Sequence, residues 1–152
     1  MTFRLAIIGS GGIAEKHLQS LKELSDFNIS CICDIDKEKA NDLAKNYPGS
    51  QIENNMDKIV ANTEIDIVDI CLPPHLHFST ALKFLEAGKH VICEKPLSTS
   101  VNDAQKLIDI SHSMNKNLYP VFQYRYGKNV LILKDLISNG KTGKPIVASS
   151  RS

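Results

Sequence analysis

The chain of 152 residues is 42% hydrophobic and 23% charged, and its 18 basic and 17 acidic side chains leave a formal net charge of +1. At this length a folded chain buries roughly 70% of its unfolded surface without disulfides or metal, so general disorder is excluded. The charge balance offers no field for nucleic acid or an anionic membrane, and no apolar run approaches the roughly 18 residues of a bilayer-spanning helix.

Short β-branched runs alternate with segments whose apolar residues recur at three and four. Residues 3–8 read as a strand running straight into glycines, without the basic start and cleavage site of a signal peptide, so a cytoplasmic location is expected. A helix over 12–24 and a strand over 29–33 follow, then a helix over 37–46 with Asp36 as its N-cap. A short strand at 51–52, a helix over 56–61 and a strand over 65–71 come next. The pattern continues with a helix over 77–87 stopped by Gly88, a strand over 90–93 and a helix over 101–115 capped by Ser100. It ends with a strand over 118–122 and a helix over 129–138 stopped by Gly140. Strand, helix, strand repeated in this way predicts a doubly wound α/β parallel sheet with helices on both faces. After the turn-rich stretch 139–145, residues 146–150 read as a new strand with nothing left to cover it, so the chain is expected to be part of a longer protein.

Gly9-Ser10-Gly11-Gly12-Ile13-Ala14 follows the first strand and opens the first helix, which is the context a dinucleotide-binding glycine turn requires. Gly9 permits the tight turn, Gly11 lets the backbone approach a pyrophosphate, and Ala14 allows close helix packing. Twenty residues after Ala14, Asp34 ends the second strand, where a carboxylate accepts ribose hydroxyls; its plain alternative is to cap the next helix. A carboxylate there repels a 2′-phosphate, which favours NAD over NADP, although Lys37 is a cation that could offset it. Leu72, Pro73, His75 and His77 follow the fourth strand, and Glu94, Lys95 and Pro96 follow the fifth, both at the sheet edge where ligands of open α/β folds bind. There Lys95 is the side chain suited to catalysis. His75 and His77 show metal-ligand spacing but lack a third ligand, so no metal is expected. His17, His90 and His112 show no partner, and Cys31, Cys33, Cys71 and Cys93, each in or ending an apolar run, read as reduced core thiols.

Jointly, the glycine turn, Asp34, the turn from Pro73 to His77 and the run Ala87-Gly88-Lys89-His90-Val91-Ile92-Cys93-Glu94-Lys95-Pro96 resemble the glucose-fructose oxidoreductase and inositol dehydrogenase (Gfo/Idh/MocA) family. The resemblance implies a Rossmann domain over residues 1–144, with 145–152 opening a C-terminal substrate domain whose remainder is missing here. It also implies an NAD-dependent oxidoreductase, with NADP as a variant, moving hydride between a sugar, cyclitol or related polyol and the nicotinamide. Lys95 then matches the lysine that aids proton transfer, Glu94 a residue beside the nicotinamide ribose, and Gln123 a position at the nicotinamide end, with Gly9, Gly11, Gly12, Ile13, Asp34, Leu72, Pro73, His75 and His77 completing the cofactor contacts. Relatives oligomerise through the second domain, so a homo-oligomer is expected at full length, and this chain alone should bind cofactor without turnover. The alternative is a protein that uses NAD(H) as a structural or regulatory ligand, and S-adenosylmethionine or FAD are disfavoured by the Glu94-Lys95-Pro96 run.

Overall fold

The computed structural model describes residues 2–146. The chain divides into two compact units, with the boundary between Val121 and Phe122.

The first unit is a six-stranded sheet of order β3-β2-β1-β4-β5-β6, every neighbouring pair parallel. Its elements are β1 (Phe3–Ile8), α1 (Gly12–Lys22), β2 (Phe27–Cys33), α2 (Lys37–Ala44), β3 (Gln51–Glu53) and α3 (Met56–Ala61) in the first half. The second half is β4 (Ile67–Ile70), α4 (Pro74–Glu86), β5 (His90–Cys93), α5 (Val101–Ser113) and β6 (Leu118–Pro120). The chain winds outward from β1 to one edge, returns, and winds outward from β4 to the other, so the strand order reverses between β1 and β4 and opens a crevice at their C-terminal ends.

Side-chain alternation along the strands sorts the core into two layers. Leu5 and Ile7 of β1 pack with Ala14 and Leu18 of α1 and Ala40 and Leu43 of α2. The intervening Ala6 and Ile8 pack with Ile59 of α3, Ala81, Phe84 and Leu85 of α4, and Leu107 of α5. Each fully buried Leu, Ile or Phe contributes about 1.5–3 kcal/mol of transfer free energy. Asp36 and Ser100 cap α2 and α5 as expected, each accepting from backbone N–H groups of the first turn.

The element boundaries differ from the expectations in places. β2 begins at Phe27, where Phe3 pairs with it and their rings lie 6.0 Å apart. α4 begins at Pro74 instead of residue 77, because a proline at the first helical position has a preset φ and no N–H to leave unpaired. β6 stops at Pro120 instead of 122; Val121 still donates to the Cys93 carbonyl, and beyond it the chain leaves the sheet.

The second unit carries a 3-10 turn, Gln123–Tyr126, and a helix α6, Lys128–Ser138, ended by Gly140 at φ +68°. The strand expected from Ile146 lies, past Ile146 itself, outside the described residues.

Candidate cofactor site

β1 ends at Ile8, and the next residue must turn sharply enough to start α1 three residues later. Gly9 does so at φ +96°, in the left-handed region, and a Cβ there would lie 2.5 Å from the Cys71 carbonyl oxygen. Only glycine fits, and the reason is internal packing. Gly11 and Gly12 differ: a Cβ at either would meet no protein atom within 4 Å, so their bareness leaves open space in front of the helix. Gly11 occupies the N-cap of α1 with no side chain closing it, leaving the first N–H groups of an 11-residue helix for an anion.

Asp34 holds this turn in place. Its Oδ2 accepts from the Ser10 N–H and hydroxyl, both at 2.7 Å, and its Oδ1 from the Asp36 N–H at 2.9 Å. Burial alone would raise its pKa, but these hydrogen bonds outweigh it and keep the carboxyl below its ordinary range. The helix-cap alternative for Asp34 falls away, since Asp36 caps α2.

A cleft of about 610 Å³ opens beside these residues, lined by Gly9, Gly11, Asp34, Leu72 and Pro73 together with Ile35, Asn55, Met56 and Leu76. Gly12 lines a smaller recess of about 270 Å³ with Ser10, Gly11 and Glu15. The lysine on both walls is Lys39 and not Lys37; its Nζ lies 3.2 Å from Asp36 Oδ2. Ile13 is 38% exposed on the first turn of α1, and His75 is exposed on the first turn of α4.

The other residues expected here are placed differently. His77 is buried, its Nδ1 2.6 Å from the Pro96 carbonyl oxygen and its Nε2 2.7 Å from that of Leu72, so it ties the turn after β4 to the turn after β5. With both nitrogens occupied and His75 exposed, the two histidines do not form a metal pair. Lys95 is exposed at the end of β5, and its N–H donates to Glu94 Oε2 at 2.9 Å. Glu94 itself is buried, its other carboxylate oxygen 3.2 Å from His17 Nε2. Gln123 belongs to the second unit, on its 3-10 turn.

His17, which shows no partner in the sequence, lies between two acids. Its Nδ1 lies 2.9 Å from Asp69 Oδ2, and Asp69 is only 1% exposed. The legible signal was Asp69 itself, an acid inside the apolar run IVDIC, whose burial in a parallel strand demands a partner. Cys71 Sγ lies 3.4 Å from the same nitrogen. The four cysteines are free and buried, and burial pushes Cys31 and Cys93 up to about 12 and Cys33 up to about 11, as core thiols. Among the described residues no helix is long and apolar enough to cross a membrane.

The family model for an oxidoreductase family with an NAD-binding Rossmann fold matches residues 3–122. Glucose-6-phosphate 3-dehydrogenase of Bacillus subtilis is 34% identical over 140 residues, covering 92% of this chain and 39% of that protein. D-glucoside 3-dehydrogenase of Escherichia coli is 29% identical over 150 residues, covering 98% of this chain and 43% of that protein. Among solved structures, the WlbA dehydrogenase of Chromobacterium violaceum, in complex with NADH and UDP-GlcNAcA, superposes with a TM-score of 0.88 at 28% identity, over 93% of this chain and 41% of that one. The chain spans less than half the length of these relatives. The family match covers most of the chain, which belongs to the Gfo/Idh/MocA family of oxidoreductases through its NAD-binding Rossmann fold.

Proposed function

We propose that this chain is the cofactor-binding part of an NAD-dependent dehydrogenase that oxidises a secondary alcohol of a sugar, cyclitol or related polyol. The observation that carries the reading is the uncapped start of α1 opening onto a cleft with Asp34 on its wall. The pyrophosphate fits the N–H groups beyond Gly11 and Gly12, where no Cβ intrudes. Asp34 Oδ1 accepts one hydrogen bond from the protein and keeps a second lone pair for a ribose hydroxyl. Leu72 and Pro73 border the nucleotide, with Ile13 and His75 on the flanking helical turns. His77 contributes by holding the two loops of the site together, and Gln123 is assigned to the nicotinamide end.

When bound, the nicotinamide supplies a hydride acceptor. Lys95 lies in the path of the proton that the alcohol hydroxyl must lose as its carbon gives up hydride. In a longer protein carrying this chain, Lys95→Ala should lower turnover on a polyol panel by roughly 10²–10⁴-fold while NAD affinity stays nearly constant; unchanged turnover removes Lys95 from the mechanism.

The chain alone should bind cofactor without turning it over. Because it has no Trp, nicotinamide fluorescence can be followed directly on titration with NADH and NADPH. Saturable binding with NADH tighter by about tenfold or more, worth about 1.4 kcal/mol, is expected from the Asp34 carboxylate. Binding of neither nucleotide defeats the cofactor assignment, and tighter NADPH binding gives Lys39 the greater weight.

A further inference from the structure

We propose that His17 is a positioning residue for the active-site turn: by bridging Asp69 and Glu94 it fixes the Glu94 carboxylate that holds the backbone N–H of Lys95. The inference rests on the role given to Lys95 above.

The arrangement follows from strand alternation. Asp69 pairs with Ile7 on β1 and Ile92 on β5, residues of the α1-side layer, and Glu94 follows two residues after Ile92. Both carboxylates therefore turn toward α1, where His17 stands on the same face as Ala14, Leu18 and Leu21. One ring nitrogen reaches Asp69 at 2.9 Å and the other reaches Glu94 at 3.2 Å. An ionised carboxylate only accepts, and a neutral imidazole has a single donor, so the doubly protonated ring satisfies both acids at once. Glu94 Oε2 then accepts the Lys95 N–H at 2.9 Å. The result is a continuous chain from β4 through α1 to the backbone N–H of Lys95, two residues beyond β5.

The titratable groups around the ring are Asp69 and Cys71 from β4 and its end, and Glu94 from beyond the end of β5. Burial raises the Cys71 thiol, so it stays neutral, and the carboxylates alone answer the imidazolium charge. The hydrogen bond to Asp69 raises the His17 pKa, burial opposes it, and the balance lies above the ordinary histidine value. Released from His17, the Glu94 carboxylate would be free to leave the Lys95 amide, and the turn would lose its one side-chain anchor on that group.

The test is a pH titration of the whole 152-residue chain by NMR, following the His17 ring nitrogens and the Lys95 amide proton together. The expected result is a ring carrying both protons at neutral pH and a Lys95 amide that moves upfield with the same midpoint as the ring. His17→Gln, which carries no charge and has both of its donors on one nitrogen where the ring donates from two, should shift the same amide at fixed pH and speed its solvent exchange about tenfold or more. A ring that titrates while the Lys95 amide stays still overturns the proposal, and so does a folded His17→Gln chain with an unchanged amide. If that variant does not fold, the wild-type titration decides by itself. NADH added to the same samples separates the two claims: failure of wild type to bind counts against the cofactor reading, whereas the amide alone judges His17.

Discussion

Two glycines of one turn answer to different forces. Gly9 is required by the protein, since its φ of +96° and the Cys71 carbonyl oxygen 2.5 Å from a would-be Cβ leave no room for a side chain. A left-handed conformation costs an L-residue roughly 1–2 kcal/mol, and the clash with rigid backbone adds to it. Gly9→Ala should therefore lower the melting temperature by about 5 °C or more, given that 1 kcal/mol moves it by about 2–4 °C at this size. Gly11 has extended backbone and open space around it, so Gly11→Ala should cost stability no more than about 1 kcal/mol, the size of an N-cap preference. Its effect belongs to the ligand, with NADH affinity falling about tenfold or more while the fold persists. Thermal melts and fluorescence titrations of the two variants, run side by side, check this inversion; equal effects on both readouts would show that the turn has one role only.

At the scale of elements, the strands and helices were legible because their periodicities are strong and their caps are local. Phe3–Ile8 and His90–Cys93 fall where the alternation puts them, and Asp36 and Ser100 cap the helices they precede. The start of α4 was missed because its signal, Pro74 at the first helical position, reads equally well as part of a turn. The glycine turn and Asp34 were legible for the same reason as the strands, being local in sequence. The pairing of His17 with Asp69 and Glu94 was not, because 52 and 77 residues separate the partners and only the sheet brings them together. That ion cluster has a consequence for stability. His17 is raised in the folded state, so its contribution is fully present below its unfolded value, near 6.5, and is lost as pH rises through the folded value. Asp34 acts with the opposite sign: its depressed carboxyl contributes above the unfolded value, near 3.9, and the contribution is lost as pH falls through the folded one. Urea unfolding should show stability declining over the interval above about pH 6.5, a decline that His17→Gln should flatten. A wild-type profile that is level or rising across that interval would remove the imidazolium from the folded state.

For the molecule as a whole, the distribution of the core decides which part of the chain is needed for folding. Among the described residues, both buried layers are built from residues between Leu5 and Leu107, with Leu118 the last apolar side chain packed against either. Among the described residues all six strands are complete by Pro120, and the sheet they form ends at each edge in a three-residue strand, too short to serve as a template for further pairing. Among the described residues, every buried member of either layer belongs to the first unit, and the second begins at Phe122. A chain ended after Val121 should therefore unfold in one cooperative transition, with a melting temperature within about 5 °C of the 152-residue chain, since a loss of roughly 1–2 kcal/mol is all that such a shift represents. A broad transition, or a fall of about 15 °C or more, would mean that residues after 121 complete the core. Cofactor binding makes the comparison sharper. The pyrophosphate and ribose positions assigned to Gly11, Gly12 and Asp34 remain in the shorter chain, whereas Gln123 does not. NADH should then be held with most of its affinity, and the loss should fall on the nicotinamide end, visible as a smaller change in the fluorescence of the bound ring.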